Sequence, residues 1–327
     1  MITTKTLGNF TTSAFGLGCM AMSGAYGVAD RDEAIATVHA ALDAGITLFD
    51  TGDFYGVGHN ESLLAEALRT VPRDSYQLSV KFGAQLSPDG SYLGFDTRPA
   101  AVKTALAYSL QRLGLEHVDV YRPARLDRTV PIEDTVGAIG ELIDAGYVRH
   151  VGLSEVGVET IRRAAAVRPI SDVQIEYSLA TRGVEREILG ACRQLDVGIT
   201  AYGVLARGLL GGHWAKENPT NGRQRSPRFA DENVADNLAL VEQLRGVAED
   251  LGVTVAQAAF AWVASRGSDI VPLIGARTRV RLSEALGTVD IALSRHQLAR
   301  IESAIPAEAV RGDRYPAALM ATLDSES

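Results

Sequence analysis

The stretch from Leu48 to Leu68, LFDTGDFYGVGHNESLLAEAL, contains the residues best suited to chemistry. It opens in an apolar run typical of a buried strand and ends with apolar residues at helical spacing. The glycine-rich loop between them carries Asp50 and Tyr55, and Asn60 is placed to cap the helix that follows. Lys81 ends a second apolar run, LSVKFG. Loops are commonly rich in Gly, Asp and Tyr, so composition alone does not separate catalysis from structure.

The chemistry that these residues could perform is proton transfer. A free tyrosine has a pKa of about 10, which is too high for ready proton exchange at neutral pH. An ammonium beside the Tyr55 phenol would stabilise its phenolate and lower that pKa, and a carboxylate would keep the ammonium charged and oriented. Asp50, Tyr55 and Lys81 therefore predict a general acid with its supporting ion pair, provided that the fold brings them together.

Length and composition limit the class of protein. The chain has 327 residues, 46% of them hydrophobic, which is enough to bury a large core. A formal charge of −8 and a pI near 5.3 leave no basic face for nucleic acid or an anionic membrane. Cys19 and Cys192 have no metal-ligand spacing and are too few for a disulfide framework. The opening resembles no signal peptide and no long apolar run occurs, so we expect a cytoplasmic protein.

Apolar runs alternating with amphipathic stretches predict the fold. Eight short runs without polar alternation indicate strands buried on both faces, at 14–17, 46–49, 76–80, 118–121, 147–153, 173–175, 197–201 and 270–274. Helical periodicity is found at about 31–44, 60–70, 99–113, 132–145, 158–167, 185–195, 235–251, 254–265, 279–287 and 294–304.

Eight β/α units in about 260 residues match a closed TIM barrel better than a doubly wound sheet. We therefore predict an α/β protein with one (β/α)8 barrel domain over residues 1–327. Within it, a hairpin around Gly8 and Asn9 is expected before the first barrel strand. Active sites of such barrels lie at the carboxyl ends of the strands, where Asp50, Tyr55 and Lys81 are expected.

Two segments depart from the repeating pattern. The connection after the seventh strand, about residues 212–236, is far longer than the typical four to six or so residues, and it overhangs the face that carries Asp50. It is predicted either as a lid over cofactor or substrate or as a solvated loop, with its charge on Arg223, Arg225 and Arg228. The tail, about residues 306–327, either folds back across the barrel mouth or is disordered.

A series of motifs in this sequence resembles the aldo-keto reductase superfamily. They are, in order, LFDTGDFYGVGHNESLLAEAL, SVK with Lys81, VRHVGLSE, VQIEYS, AYGVLARGLLGG and GARTRVRLSEAL, and they span nearly the whole chain. The resemblance implies a β/α barrel that binds NADPH across its mouth without a GxGxxG fingerprint, which this sequence lacks at a strand-helix turn. It also implies reduction of aldehydes and ketones by direct hydride transfer, with Tyr55 as general acid and Asp50 and Lys81 tuning it.

The resemblance further implies residues that hold NADPH or NADP+. Ser154 and Gln174 would hydrogen-bond the nicotinamide carboxamide, and Tyr202 would stack on the ring. Leu205, Arg207 and Gly208 would lie along the pyrophosphate. Ordinary packing at strand ends is the alternative role for Gln174 and Tyr202.

At the adenosine end, the resemblance assigns Arg281 to the 2′-phosphate, and Gly275 is a further cofactor contact. Arg277 lies four residues before Arg281 at the start of a helix, so both are expected to face the same way and offer an arginine fork. Surface solvation is the alternative for these arginines. Where many members have asparagine, this chain has Glu155 and Ala285, which puts one nicotinamide and one adenine contact in doubt.

The fourth member of the family's usual tetrad, a histidine, is absent. The segment that commonly carries it is YRPARLD here, and the position is Ala124. Alanine cannot donate a hydrogen bond to a substrate carbonyl, so part of the electrostatic stabilisation is missing. His59 is a poor substitute because it lies at the far end of the loop. Arg122 and Arg125 are nearer, and strand alternation places Arg122 on the side of Ala124.

Three functions stay open. The first is an NADPH-dependent carbonyl reductase acting on a small aldehyde or ketone. The ARLD, VPIE and GLSE segments resemble a branch that includes pyridoxal reductases, so reduction of pyridoxal to pyridoxine is the leading specific reaction, and a broad aldehyde reductase fits nearly as well. The second is a nicotinamide-binding sensor with little turnover, resembling the β subunits of potassium channels. The third is alkene reduction. The sequence leaves the oligomeric state, including a homo-oligomer, undecided.

Overall fold

The chain begins with the hairpin predicted at Gly8 and Asn9. Strands β1 (Thr4–Leu7) and β2 (Phe10–Ser13) pair antiparallel, with Gly8 at φ +54° in the turn. A side chain at Gly8 would meet the Asp196 carbonyl oxygen at 2.7 Å, so glycine is required there. Residues of this hairpin pack into one apolar cluster with side chains of the barrel interior, which are Leu7, Phe10, Leu48, Val120, Val271 and Leu273.

A closed parallel barrel follows the hairpin. The structure is a computed structural model that describes residues 2–25, 27–214 and 226–326. Its further strands are β3 (Gly16–Gly18), β4 (Leu48–Gly52), β5 (Gln77–Phe82), β6 (Ala84–Leu86), β7 (Tyr92–Phe95), β8 (Val118–Pro123), β9 (Val148–Ser154), β10 (Ile170–Glu176), β11 (Gly198–Tyr202) and β12 (Ile270–Ile274). The barrel order is β3-β4-β5-β8-β9-β10-β11-β12, with β12 paired to β3. The predicted (β/α)8 barrel is therefore confirmed.

Helices surround the barrel, and all but the short one in the tail bury apolar side chains. They are α1 (Arg31–Asp43), α2 (His59–Leu68), α3 (Pro99–Leu113), α4 (Ile132–Asp144), α5 (Val158–Val167), α6 (Ile188–Gln194), α7 (Asp231–Asp250), α8 (Val255–Ala264), α9 (Arg279–Leu286), α10 (Arg295–Ala304) and α11 (Ala317–Met320). Helices α8 and α10 start at capping boxes formed by Thr254 and Ser294, which satisfy backbone N–H groups that would otherwise lack partners.

The strands extend beyond the apolar runs that predicted them. Strand β4 continues to Gly52 and β5 to Phe82, so Asp50 and Lys81 lie inside strands and not after them. The ladder sustains this extension, because Gly52 pairs with Lys81 and Lys81 with Arg122. Polar residues at the ends of parallel strands are thus fixed by the sheet itself.

The capping role predicted for Asn60 is wrong. Helix α2 begins at His59, and its N-cap is Gly58 with φ +87° and no side-chain cap. Asn60 is fully buried instead. Its amide nitrogen donates to the Cys19 carbonyl at 2.8 Å, and its oxygen accepts from Thr51 Oγ1 at 2.6 Å. The amide therefore ties the loop of Tyr55 to the first two barrel strands.

Three segments surround the mouth of the barrel. The antiparallel hairpin β6–β7 follows β5, and the sequence did not predict it because its strands are only three and four residues long. In the long connection after β11, residues 215–225 lie outside the described residues, and with them Arg223 and Arg225. Arg228 is buried and pairs with Glu176 at 3.1 Å, so it is neither solvated charge nor a free ligand. The tail folds back across the mouth through Arg314 and Tyr315.

The described helices are too short or too polar to cross a membrane singly. Across residues 2–25, 27–214 and 226–326, no single helix is long and apolar enough for that, and the bent pair α7–α8, at 84°, passes by length and composition alone. Both helices contribute buried residues to the hydrophobic core, as expected for helices that pack on a barrel.

Candidate active site

A buried ion pair lies at the centre of the mouth. Lys81 Nζ donates to Asp50 Oδ2 at 2.5 Å, and both side chains are about 5% exposed or less. Ser79 Oγ and Gln174 Nε2 donate to the other carboxylate oxygen at 2.9 and 2.8 Å. The carboxylate is thus held by three donors from two strands, Lys81 and Ser79 on β5 and Gln174 on β10. Such a saturated carboxylate keeps its orientation when a ligand enters.

Tyr55 lies directly beside this ion pair. The Lys81 ammonium is 5.0 Å from the centroid of the Tyr55 ring. A tight turn positions the ring: the Tyr55 N–H donates to the Gly52 carbonyl at 3.0 Å, and Gly56 and Gly58 have φ of +59° and +87°. The structure therefore brings together the three residues that the sequence selected for proton transfer.

The charge of Lys81 depends on Asp50. Burial lowers the pKa of the Lys81 ammonium, and the Asp50 carboxylate opposes that shift through its charge and hydrogen bond. The net pKa is below the ordinary value of a lysine. A lysine with a lowered pKa next to a tyrosine is suited to stabilising a phenolate and to adjusting the proton affinity of the phenol.

The residues predicted to hold the nicotinamide lie on the next strands around the barrel. Ser154 ends β9, Gln174 lies in β10 beside it in register, and Tyr202 ends β11. Ser154 and Gln174 are buried, and Gln174 reaches the Asp50 carboxylate. Tyr202 is half-buried, and its hydroxyl donates to Glu155 Oε1 at 2.6 Å. Their positions are compatible with a ring bound over the ion pair.

The segment predicted to follow the pyrophosphate forms a strained turn. Ala206 and Arg207 have φ of +46° and +59°, which non-glycine residues rarely adopt, and Gly208 continues the turn at +96°. The Gly208 N–H donates to the Leu205 carbonyl at 2.8 Å. Each left-handed non-glycine residue costs about 1–3 kcal/mol, and such strain is concentrated at ligand-binding turns.

The predicted pairing of Arg277 with Arg281 is not observed. Helix α9 begins at Arg279 with Thr278 as its N-cap, so Arg277 lies outside the helix and the rule for residues four apart does not apply. Arg277 donates to the Gly27 carbonyl at 3.0 Å, whereas Arg281 pairs with Glu284 at 2.9 Å. Gly275 is exposed between β12 and this helix. The two arginines are near the same turn but do not form a fork.

A cluster that the sequence analysis missed lies above Tyr202. Arg314 in the tail forms two hydrogen bonds with the Glu155 carboxylate, at 2.7 and 2.6 Å, and Tyr315 OH lies 3.2 Å from Tyr202 OH. The Tyr315 ring lies under the Arg207 guanidinium, 4.5 Å away. Glu155 therefore anchors the tail. In the sequence, only two departures from the family's usual residues marked this region. They are Glu155 in place of asparagine and Ala124 in place of histidine.

Ala124 stands at the position of the missing histidine, directly before Arg125 in the chain. Ala124 is buried, and its N–H donates to the Phe82 carbonyl at 2.8 Å. The expectation that Arg122 would share the side of Ala124 stays a prediction. Arg122 is buried inside the barrel and pairs with Asp172 through bonds of 2.8 and 3.1 Å. Strand β8 ends at Pro123, so alternation stops there, and Arg125 is the residue whose guanidinium reaches Ser154. His59 bonds Ser23 instead, at 2.9 Å.

Comparison with known proteins agrees with this geometry. Two relatives are a probable aldo-keto reductase 1 from Glycine max, 40% identical over 94% of this chain and 89% of that one, and the aldo-keto reductase yakc [NADP(+)] from Schizosaccharomyces pombe, 36% identical over 96% and 95%. Similar structures are the glycerol dehydrogenase AKR11B4 from Gluconobacter oxydans (TM-score 0.86, 27% identity, 95% and 97% covered) and an aldo-keto reductase from Klebsiella pneumoniae in complex with NADPH (TM-score 0.74, 26% identity, 95% and 99% covered).

The family assignment rests on the length of the match. The model of the aldo/keto reductase family matches residues 14–306, which include every barrel strand and each of the site residues described above except those of the tail. Members of this family are oxidoreductases that use nicotinamide cofactors. This chain belongs to the aldo/keto reductase family.

Proposed function

We propose that this protein is an NADPH-dependent carbonyl reductase in which Tyr55 is the general acid. The observation that supports it most is the Asp50–Lys81 ion pair, 2.5 Å long and buried, with its ammonium 5.0 Å from the Tyr55 ring. A protein that merely bound a nicotinamide would need no such device. The NADP(+) in the name of the fission yeast relative and the NADPH in the Klebsiella structure favour the phosphorylated cofactor.

The residues at the mouth fit this cofactor. Buried Ser154 and Gln174 offer hydrogen-bonding groups to a carboxamide, and Tyr202 offers an aromatic face. The strained turn at Ala206 and Arg207 has the features of a ligand-binding loop. When bound, the dihydronicotinamide supplies a hydride to the carbonyl carbon.

The chain's own residues supply the proton. Tyr55 OH gives its proton to the carbonyl oxygen as that oxygen gains negative charge, which completes an alcohol. The Lys81 ammonium stabilises the phenolate left on Tyr55, and Asp50 keeps Lys81 charged against the cost of burial. Ser79 and Gln174 fix the carboxylate, so no reorganisation is needed during the reaction. A solvent proton then restores the phenol.

The substrate that we favour is a polar aromatic aldehyde, with pyridoxal as the leading example. The support is the resemblance of the ARLD, VPIE and GLSE segments to pyridoxal reductases, and a broad aldehyde reductase fits nearly as well. Ala124 favours a second candidate, a cofactor sensor with little turnover or an alkene reductase, because the site lacks the histidine that would orient a carbonyl.

The deciding experiment measures NADPH consumption with pyridoxal and a panel of aldehydes, ketones and one enone, next to NADPH binding by fluorescence. We expect turnover with an aldehyde. Tyr55→Phe should lower kcat by roughly 100- to 10,000-fold while NADPH binding stays near normal. Tyr108→Phe, at an exposed tyrosine on α3, is the matched control. Tight NADPH binding without turnover would support the sensor, and a saturated ketone from the enone would support alkene reduction.

A further inference from the structure

The inference concerns Arg125, which follows the position of the missing histidine and builds on the proposed reductase activity. Its Nη1 donates to the Ala124 carbonyl at 2.6 Å and lies 3.5 Å from Ser154 Oγ. Ala124 adjoins the end of β5, which carries Lys81, and Ser154 ends β9. The guanidinium is therefore placed in the mouth between the ion pair and the residues proposed to hold the nicotinamide.

Arg125 has no carboxylate partner in the described part of the chain. Among residues 2–25, 27–214 and 226–326, no carboxylate oxygen lies within 4.0 Å of its guanidinium nitrogens. By contrast, the buried cations Arg122, Arg228 and Arg314 are paired with Asp172, Glu176 and Glu155, respectively. A partly buried cation without a counter-ion carries a desolvation cost that an anionic ligand would offset.

The surroundings keep this guanidinium charged. Burial lowers its pKa, but the hydroxyls of Tyr202 and Tyr315 and the carboxylate of Glu155 lie near enough to raise it overall. Burial raises the pKa of the Tyr92 phenol in the β6–β7 hairpin, and the charge of Arg125 opposes that rise. An arginine in this state donates hydrogen bonds and cannot supply a proton. In the mouth it therefore offers a positive charge and hydrogen-bond donors.

The location separates this cation from the groups proposed to hold the cofactor phosphates. Arg207 follows β11 and Arg281 follows β12, which are three and four strands farther around the barrel than β8. Tyr202 and the Ser154–Gln174 pair lie between them and Arg125. If a cofactor is bound across the mouth with its nicotinamide at Ser154, its phosphates lie on the side of the nicotinamide ring that is away from Arg125.

We propose that Arg125 binds an anionic oxygen of the substrate, a carboxylate or a phosphate, and that among aldehydes of similar shape, such as pyridoxal and its 5′-phosphate, the enzyme therefore prefers the one that carries such a group. The planar fork of an arginine matches the two oxygens of either group. A second point of contact also orients the substrate carbonyl. Arg125 thereby supplies part of the orientation that a histidine would give and that Ala124 does not. Arg125 is a specificity-determining residue in this scheme, and Tyr55 remains the proton donor.

The test compares probes that differ in charge and little in shape. They are 3-formylbenzoate against its methyl ester for the carboxylate, and pyridoxal 5′-phosphate against pyridoxal for the phosphate. Arg125→Gln should raise KM for a charged probe roughly tenfold or more and change KM for its neutral counterpart little. Arg125→Lys should restore part of the preference, because it keeps the charge and loses the fork. Arg128→Gln, an exposed arginine in the same loop, is the charge-matched control.

A binding measurement separates this proposal from the reductase activity itself. Calorimetry on the NADP+-loaded protein would compare 3-(hydroxymethyl)benzoate with its methyl ester, which requires no turnover. Tighter binding of the acid by the wild type, lost in Arg125→Gln but not in Arg128→Gln, supports the assignment even if no aldehyde is reduced. Equal binding of acid and ester, equal losses for charged and neutral probes, or weakened NADPH binding in Arg125→Gln would overturn it.

Discussion

Arg314 and Glu155, which are 159 residues apart in the chain, form a buried two-point salt bridge directly above the Tyr202 hydroxyl. The side chains are 3% and 0% exposed, and Ser325 Oγ donates to the same carboxylate at 2.7 Å. Tyr202 OH donates to Glu155 as well. The tail, the end of β9 and the aromatic platform proposed for the nicotinamide are therefore one connected unit.

The first prediction concerns the stability of this unit. Removing one partner leaves the other as an uncompensated buried charge, so Arg314→Met should lower the free energy of unfolding by about 3–5 kcal/mol. Arg300→Met is the control, because Arg300 pairs with Asp250 at the surface. Urea denaturation followed by circular dichroism would measure both. A loss in Arg314→Met no larger than in the control would mean that the tail is not held by this pair.

The same pair gives stability a defined pH dependence. Burial raises the pKa of Glu155, but Arg314 and Ser325 outweigh it and hold that pKa at about 2, below the ordinary 4.5. The stabilisation is therefore fully present above pH 4.5 and declines as the pH falls toward 2.

How much of this could be anticipated from sequence depends on the range of the interaction. Asp50, Tyr55 and Lys81 were selected because each lies at or next to a strand end, and the barrel brings strand ends to one face. Their convergence at 2.5 and 5.0 Å follows from the fold, although their catalytic roles stay predictions.

The Arg314–Glu155 pair was beyond sequence reasoning for a physical reason. The tail has neither helical nor strand periodicity, so no pattern indicates where a single arginine in it will bind. The glutamate at 155 was visible as a departure from asparagine, but its partner was not. The pairing of Arg122 was also beyond sequence reasoning, because its partner Asp172 lies 50 residues farther along the chain, in β10.

The second prediction concerns Asp53, whose carboxylate is close to the catalytic loop. Burial, followed by the charge of Glu61, raises its pKa from 3.8 to about 7, and its Oδ1 is buried without a hydrogen-bond partner in the described chain. Between about pH 4 and 7, the Asp53 carboxyl is therefore protonated in the folded state and ionised in the unfolded state. The stability that this difference contributes is fully present below pH 4 and is lost as the pH rises to 7. Asp53→Asn should gain about 1–3 kcal/mol at pH 8 and little at pH 4.

Thermal unfolding across that pH range would test the role of Asp53. The difference in Tm between Asp53→Asn and wild type should grow from pH 4 to pH 8. Asp43→Asn, at an exposed position of α1, should show no such trend. A constant difference would indicate that Asp53 titrates in the folded protein as it does in the unfolded chain.

The third prediction concerns the ion pair in the reaction. Asp50→Asn keeps the shape of the side chain and removes the charge that opposes the burial effect on Lys81. The pKa of Lys81 should fall further, so the alkaline limit of kcat should move to lower pH and kcat at neutral pH should fall by about a hundredfold. Asp74→Asn, at an exposed residue, is the control. An unchanged pH profile would show that Lys81 does not need Asp50 to stay charged.

The fourth prediction concerns Glu33, a residue of α1 whose carboxylate contacts the start of helix α9. Its Oε1 accepts from the Arg279 N–H at 2.8 Å, and its carboxylate pairs with the Arg279 guanidinium at the same distance. A negative charge is therefore already present in the turn where Arg281 is proposed to bind the 2′-phosphate, and it would repel that phosphate. Glu33→Gln should tighten NADPH binding roughly two- to fivefold and leave NADH binding unchanged.

Fluorescence titration with both cofactors would measure this effect, with Asp32→Asn as the control. Asp32 precedes Glu33 in α1, and its carboxylate lies 3.6 Å from the Arg31 guanidinium at the surface. Asp32→Asn therefore changes the net charge by the same amount and leaves the start of α9 untouched. Arg281→Ala should act in the opposite direction, weakening NADPH much more than NADH because the 2′-phosphate would lose its cation. If Glu33→Gln changed both cofactors equally, or Arg281→Ala weakened both equally, the 2′-phosphate would not be bound at the start of α9.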